Sequence, residues 1–273
     1  MRDLSAPKAG VARLFSVIRE LALLPAGGGG ITQIARSAGL TQATTHRLLQ
    51  SLAVEGLIEQ DASRRLYRLG ADFFALAVQA SHPGELRLMC RPALRRLSAS
   101  LSESVVLLVR SENGAVCVDR SDGAAATPPD TAMEIGARIA PGNDAGTLAI
   151  LAFLTEPERE LVLRTWPAPV PGTGAGDTSG LRAELDRVRR SGHAERGGHG
   201  PAGPASVAVP ILDRGGRAVA SLVVDTTADR LGGDRLPMVL ELLKREAAAI
   251  GPRIAPFDML PQRPIQVRAE AIR

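Results

Sequence analysis

Aromatic side chains are scarce in this chain, with one Trp, one Tyr and five Phe among 273 residues. Any sizeable core must therefore rest on Leu, Val, Ile and Ala, and the 45% hydrophobic content is enough to build one and to exclude a disordered chain. Cysteine is limited to Cys90 and Cys117, without CxxC spacing or a histidine at ligand spacing. That excludes a disulfide framework, fits a reducing compartment, and gives no metal site. No apolar run reaches the length of about 18 residues needed to cross a bilayer. Met1 to Gly10 holds no apolar stretch of the kind found in secretory signals. A cytoplasmic protein without membrane contact is the expectation. Catalytic signatures are missing too: no GxSxG, no HExxH, no P-loop, and no GxGxxG behind a strand. The four histidines are scattered without a partnered Ser or Cys. Neither catalysis nor a cofactor is expected.

What is present is arginine. All but two of the 33 basic residues are Arg, the exceptions being Lys8 and Lys244, and the net charge is +4. A basic balance leans only weakly toward a polyanionic partner. The length allows one or two domains.

The first seventy residues carry more specific information. Ser5-Ala6-Pro7 is a helix-starting triplet. Behind it Val11, Leu14, Phe15, Ile18, Leu21 and Ala22 recur at helical spacing as one apolar stripe. Pro25 and Gly27 to Gly30 read as a flexible loop. Thr32 is placed to cap a second, short helix with Ile34, Ala35 and Ala38 inward, which Gly39 closes. Thr41 caps a third helix from Gln42 to Glu55 that buries Leu48, Leu49 and Leu52. Two helices joined by a tight glycine turn form a helix-turn-helix. The outer face of the third helix presents Gln42, Ala43, His46, Arg47 and Gln50. Arg can bond guanine with two hydrogen bonds and Gln can bond adenine. Thr32, Thr41 and Thr44 supply hydroxyls for phosphate. Leu57 to Gln60 and Leu66 to Leu69 are two short strands around a polar turn, a wing with Arg64 and Arg65 at its tip. Tyr67 on the second strand joins the DNA-facing set. Any one of these residues, Arg47 included, also suits a solvated surface. The ordered succession of helix, turn, helix and hairpin carries the reading, and double-stranded DNA is the partner it implies.

Ile31 to Leu40, then Thr44-Thr45-His46-Arg47-Leu48-Leu49-Gln50-Ser51-Leu52, then Glu55 to Glu59 with Tyr67-Arg68-Leu69-Gly70, resemble the winged region of the isocitrate lyase regulator (IclR) family. The resemblance runs to about Ile254. It implies an α+β chain, with an N-terminal winged helix-turn-helix joined by a linker helix to a GAF-like effector-binding domain. The corresponding boundaries are 1–70, 71–84 and 85–255, with 256–273 as a polar tail. It further implies a homodimer or dimer of dimers that binds an operator and a small-molecule effector, often a small organic acid.

In the second half, Ala71 to Ala80 reads as the linker helix and His82-Pro83-Gly84 as a break after it. Arg87 to Leu101 is an amphipathic helix with Leu88, Leu94, Leu97 and Leu101 inward. Val105 to Val109 and Ala115 to Asp119 form a hairpin, and Ala132 to Arg138 is a weaker strand. Helices follow over Asp144 to Leu154, Pro157 to Trp166 and Leu181 to Ser191, with a Pro- and Gly-rich loop between the last two. Ser206 to Asp213 and Arg217 to Asp225 form the clearest hairpin, and Leu236 to Ile250 is the closing helix.

Arg138-Ile139-Ala140-Pro141 matches the family's approach to its ligand pocket. The family's His and Gly-Lys pair is missing, however, and its Lys position holds Leu148. The expected pocket residues are Asn143, Asp144, Thr147, Arg196, His199, Gly203, Ser206 and Val223. The family's acidic run is replaced by Arg196-Gly197-Gly198-His199, its Cys by Ser206 and its strand Ser by Val223. Two readings stay open: a different effector, with Arg196 or His199 favouring an acid, or a sensing module whose pocket has lost its ligand.

Overall fold

The computed structural model describes residues 8–25, 27–61, 63–79, 81–111, 114–125, 133–165, 178–197 and 203–254. The chain divides into two compact units, Met1–Ser81 and His82–Arg273.

The first unit packs α1 (Lys8–Ala22), α2 (Ile31–Ser37) and α3 (Gln42–Val54) against a three-stranded sheet. That sheet has β3 (Leu66–Leu69) at its centre, between β1 (Gly29–Gly30) and β2 (Ile58–Asp61), both antiparallel to it. Its core is Val17, Ile18, Leu21, Ile34, Leu49, Leu52, Ile58 and Tyr67. The apolar stripe expected on α1 is only partly inward: Val17 replaces Val11 and Phe15, which are 64% and 49% exposed. The stripe is wider than the surface α1 can cover, so its outer residues stay in water. The glycine run is also not a simple loop. Gly29 and Gly30 pair with Tyr67 and Leu66. Gly28 adopts φ +80°, and a Cβ there would lie 2.5 Å from the Tyr67 carbonyl oxygen, so only glycine lets the strands approach this closely. Thr32 does not cap α2, because the helix starts one residue earlier, behind Gly30. Helix α4 (Ala71–Gln79) ends the unit.

The second unit is a six-stranded antiparallel sheet with helices on both faces. Its strands are β4 (Ser104–Ser111), β5 (Gly114–Ser121), β6 (Arg138–Ile139), β7 (Ala194–Gly197), β8 (Pro204–Leu212) and β9 (Ala218–Thr227), in the order β6-β5-β4-β9-β8-β7. One face is covered by α5 (Ser81–Leu101) and α10 (Arg235–Ile250), through Leu94, Leu97, Val239 and Leu243. The other is covered by α6 (Ala145–Ala152), α7 (Glu156–Thr165) and α8 (Thr178–Ser191), through Leu148, Leu151, Leu163, Leu181 and Leu185. Strand residues alternate between these two cores, as the two-residue pleat dictates. A short helix, α9 (Ala228–Leu231), joins β9 to α10.

Three expectations need correction. His82-Pro83-Gly84 does not break the chain but lies in the first turn of α5, where the missing proline N–H is tolerated. Leu88 points outward and is 70% exposed. Pro92, four residues on, leaves the Leu88 carbonyl without its helical donor. The strand expected over Ala132 to Arg138 shrinks to Arg138–Ile139, with a turn before it. Strand β7 was not anticipated, because Ala194–Gly197 is too short and polar to show a pattern.

Candidate nucleic-acid interface and effector site

The third helix is built to present one face. Thr41 sits in extended backbone as its N-cap, and its Oγ1 accepts from the Thr44 amide at 3.3 Å and donates to Thr44 Oγ1 at 2.9 Å. Thr45, one residue on, is fully buried and returns its hydroxyl to the Thr41 carbonyl at 3.0 Å. With Thr45, Leu49 and Leu52 facing the core, the 3.6-residue period turns Gln42, Ala43, His46, Arg47 and Gln50 into solvent. Gln42 Nε2 donates to Thr32 Oγ1 at 3.2 Å, tying the start of the recognition helix to α2. Gly39 at φ +66° makes the turn between the two helices.

The wing is shaped by one carboxylate. Asp61 Oδ1 accepts from the Ser63 amide (2.9 Å), the Ser63 hydroxyl (2.6 Å) and the Arg64 amide (3.0 Å). These bonds hold its carboxyl below the usual range, the Ser63 hydroxyl first. Arg65 takes a left-handed φ of +54°, and Arg64 and Arg65 both stand exposed. Arg68 points outward from β3, but both its Nε and Nη2 bond Glu59 Oε2, at 2.9 and 2.7 Å. Tyr67 must leave the DNA-facing set. The strand alternation turns it inward, 7% exposed, into the core between the helices and the sheet.

The expected effector residues gather unevenly. Asp144 is the N-cap of α6 in a reciprocal capping box with Thr147, whose amide donates to Asp144 Oδ1 at 2.8 Å. Burial pushes the Asp144 carboxyl up, against the pull of its Thr147 bonds. Its Oδ2 is buried without a hydrogen-bond partner among the described residues. Strand register aligns Arg196, Ser206, Asp225 and Ser104 across β7, β8, β9 and β4. They lie on the α6 face, as Val223 and Val106 on the same strands show. Asp225 was not foreseen as part of this row. Its carboxyl is pushed up to about 6, mainly by burial and then by the neighbouring Asp144 charge.

Arg196 is not free to hold an acid in this arrangement. Its guanidinium donates to Glu184 Oε1 at 2.7 Å, to Glu184 Oε2 at 3.2 Å and to the Gly142 carbonyl at 3.0 Å. It therefore clamps α8 to the loop entering α6. Val223 is likewise a packing residue: it is fully buried, and a Cβ on Gly146 would come within 2.6 Å of it. Leu148, at the family's Lys position, lies in the core. Asn143 is exposed, and Gly203 accepts the Ala228 amide at 3.0 Å where β8 begins. His199 lies outside the described residues. A small cavity of about 20 Å³, enough for one water, borders Thr147, Pro141 and Arg110. Burial raises both cysteine thiols to about 12, which leaves them inert as nucleophiles.

The register that creates the Asp225 row could not be read from the sequence, since it depends on which strands pair. Among the described residues no group of His, Cys, Asp and Glu is placed to hold a metal, and no helix is long and apolar enough to cross a membrane.

Comparison with known proteins gives a consistent result. Residues 10–62 match the family described as the IclR helix-turn-helix domain, and residues 78–251 match bacterial transcriptional regulator IclR C-terminal. The chain is 31% identical over 210 residues to the glycerol operon regulatory protein of Streptomyces griseus, covering 76% of this chain and 81% of that one. It is 25% identical over 225 residues to the transcriptional regulator KipR of Bacillus subtilis, covering 82% and 89%. Among solved structures it resembles an IclR homologue from Microbacterium hydrocarbonoxydans complexed with 4-hydroxybenzoate, with a TM-score of 0.73 and 25% identity over 88% of this chain and 97% of that one.

Proposed function

We propose, since the chain belongs to the IclR family of bacterial transcriptional regulators, that its recognition helix reads an operator through Gln42, His46, Arg47 and Gln50 while Arg64 and Arg65 grip the adjacent backbone. The chain is a DNA-binding transcriptional regulator, and its relatives are regulators rather than enzymes. The observation that carries the proposal is the exposed ridge from Gln42 to Gln50, fixed by the Thr41 cap and flanked by a braced wing. Arg47 has no acidic partner among the described residues, which leaves its guanidinium available for a base.

The functional division is 1–70 for DNA binding, 71–84 for the linker and 85–255 for effector sensing, in a cytoplasmic homodimer or dimer of dimers. Val11 and Phe15 on α1, with Phe74 and Leu76 on α4, leave large apolar side chains exposed, and a second copy would cover them. A two-fold pair would place its recognition helices about 34 Å apart, or a multiple of it, in successive major grooves. The effector is a small molecule received near Asp144, Thr147, Ser206 and Asp225. An acid could be held by Arg196 only after its Glu184 bonds break. That commitment favours a second reading, in which this pocket no longer responds to a metabolite.

The test is titration of the full chain with its operator duplex. Arg47→Ala is expected to weaken specific binding by roughly 1–3 kcal/mol while non-specific binding stays unchanged. Equal operator affinity in the variant would remove Arg47 from the readout.

A further inference from the structure

The sensing unit has a second concavity that the regulator reading does not use. It is an open groove at the opposite end of β8 from Ser206, with a volume of about 670 Å³. Its origin is topological. Strand β7 pairs with Ala205 to Ala208 of β8 and ends there, so Val209 to Leu212 form an open sheet edge. The end of α8, from Arg189 to Ser191, with Gly192 just beyond it, makes one wall. The end of α10 around Lys244 and Ala247, with Gly251 and Pro252, makes the other. Phe153, Pro210 and Leu212 give the groove an apolar floor.

Its charge is one-sided. Arg189, Arg190, Arg214 and Lys244 line it, against a single carboxylate, Asp213. Asp213 is already spent: Oδ1 accepts from the Gly215 and Arg217 amides at 2.8 and 3.0 Å, and Oδ2 accepts from the Arg217 guanidinium at 3.2 Å. Lys244 Nζ gives one hydrogen to the Ser191 carbonyl at 2.9 Å, and Arg214 Nε gives one to the Pro252 carbonyl at 2.8 Å. These bonds hold both cations at the rim and leave their other N–H donors without a partner among the described residues. Arg189 and Arg190 have no ion pair among the described residues. Cations in the last turn of α8 do favour that helix through its dipole. The dipole does not explain why α10 and the β8–β9 turn bring Lys244 and Arg214 to the same hollow.

Three occupants can be compared. A cation would meet four like charges. An added β-strand would run along Val209 to Leu212, where Pro210 has no N–H to offer. A small anion with an apolar body matches the charge and the floor, and the volume falls in the range of about 300–1,000 Å³ usual for small-molecule sites. We propose that this groove is a second ligand site, separate from the Asp144 region, for an organic anion with a flat apolar body. The head, whether carboxylate or phosphate monoester, bonds Arg189, Arg190 and Lys244, and the body lies over Phe153, Pro210 and Leu212.

The experiment is calorimetric titration of the full chain with 2-naphthoate, 2-naphthyl phosphate and, as the cationic twin, 2-naphthylmethylamine. The two anions are expected to bind saturably and the amine is not; the tighter anion identifies the preferred head. Arg189→Gln with Arg190→Gln, both exposed positions, should weaken the anions roughly ten-fold or more. Asp144→Asn should leave them unchanged, which separates this site from the effector reading. Arg189→Glu with Arg190→Glu should shift preference toward the amine, a gain that misfolding would not produce. Absence of saturable anion binding at millimolar concentration, equal binding of the amine, or unaltered affinity in the glutamine variant would overturn the proposal.

Discussion

Replacing Asp225 by Asn tests the buried acidic row through its pH dependence. The Asp225 carboxyl is displaced from its usual 3.8 to about 6 because burial disfavours its charged form and the nearby Asp144 charge adds to that. A folded-state value above the unfolded one means the folded chain holds the proton more tightly. Stability from this group is therefore fully present below about pH 4, declines as pH rises toward 6, and is lost above it. Each tenfold change in acidity is worth about 1.4 kcal/mol, so the displacement corresponds to an order of 3 kcal/mol. Asp144, also raised, acts with the same sign. Glu158, held low against its burial by the Thr155 hydroxyl and then by Arg110, and Glu246, held low by Arg96, act with the opposite sign at lower pH. Only the difference between wild type and variant isolates Asp225. Urea denaturation of both proteins from pH 4.5 to 7.5 gives that difference directly. Asp225→Asn should gain on the wild type as pH rises, by about 3 kcal/mol at most, with the gain complete near pH 7. A constant difference across that range would refute the argument that an ionised Asp225 is disfavoured in the folded protein.

Other outcomes follow from the same structure. Arg64→Ala with Arg65→Ala should weaken binding to all duplexes alike and flatten the dependence of affinity on salt, measured by fluorescence anisotropy; a change in sequence preference alone would contradict a backbone-gripping wing. Gly28→Ala would place a methyl 2.5 Å from the Tyr67 oxygen at a left-handed φ, so β1 should detach and the first unit should melt earlier and be cut more readily by protease. Leu49→Ala, at a fully buried position, should cost about 2–5 kcal/mol in denaturation of that unit. Arg196→Ala should lower the melting temperature of the second unit without any ligand present, because the bonds to Glu184 and Gly142 are lost.

The winged unit was largely legible in the sequence because its signals are local. A cap at Thr41, a glycine turn at Gly39 and a helical period through Leu49 and Leu52 fix the exposed face without reference to distant residues. What escaped depends on pairing across the chain. Tyr67 resembles a DNA contact until β3 is placed at the centre of its sheet, which turns the ring inward. Gly29 and Gly30 look like a loop until they find Tyr67 and Leu66. Arg196 resembles an anion anchor until Glu184, twelve residues earlier on α8, reaches it. Asp225 acquires its neighbours only through the register of four strands. His82-Pro83-Gly84 reads as a break yet lies in the first turn of α5, since a proline early in a helix and a proline after one look alike in sequence.

The position of β3, paired along both of its sides, bears on how this protein could choose among binding sites. Of the hairpin's two strands β2 is the outer one, so the wing is stitched to the segment before α2 through β3 alone, at Gly29–Tyr67 and Gly30–Leu66, while the buried side chains of Ile58 and Tyr67, one from each strand, seat it on the helices. Recognition helix and arginine-tipped loop thus travel as one tool of set width. Adjustment to an imperfect site must come from moving that whole tool or from bending the duplex to meet it, and little of it from a yielding wing.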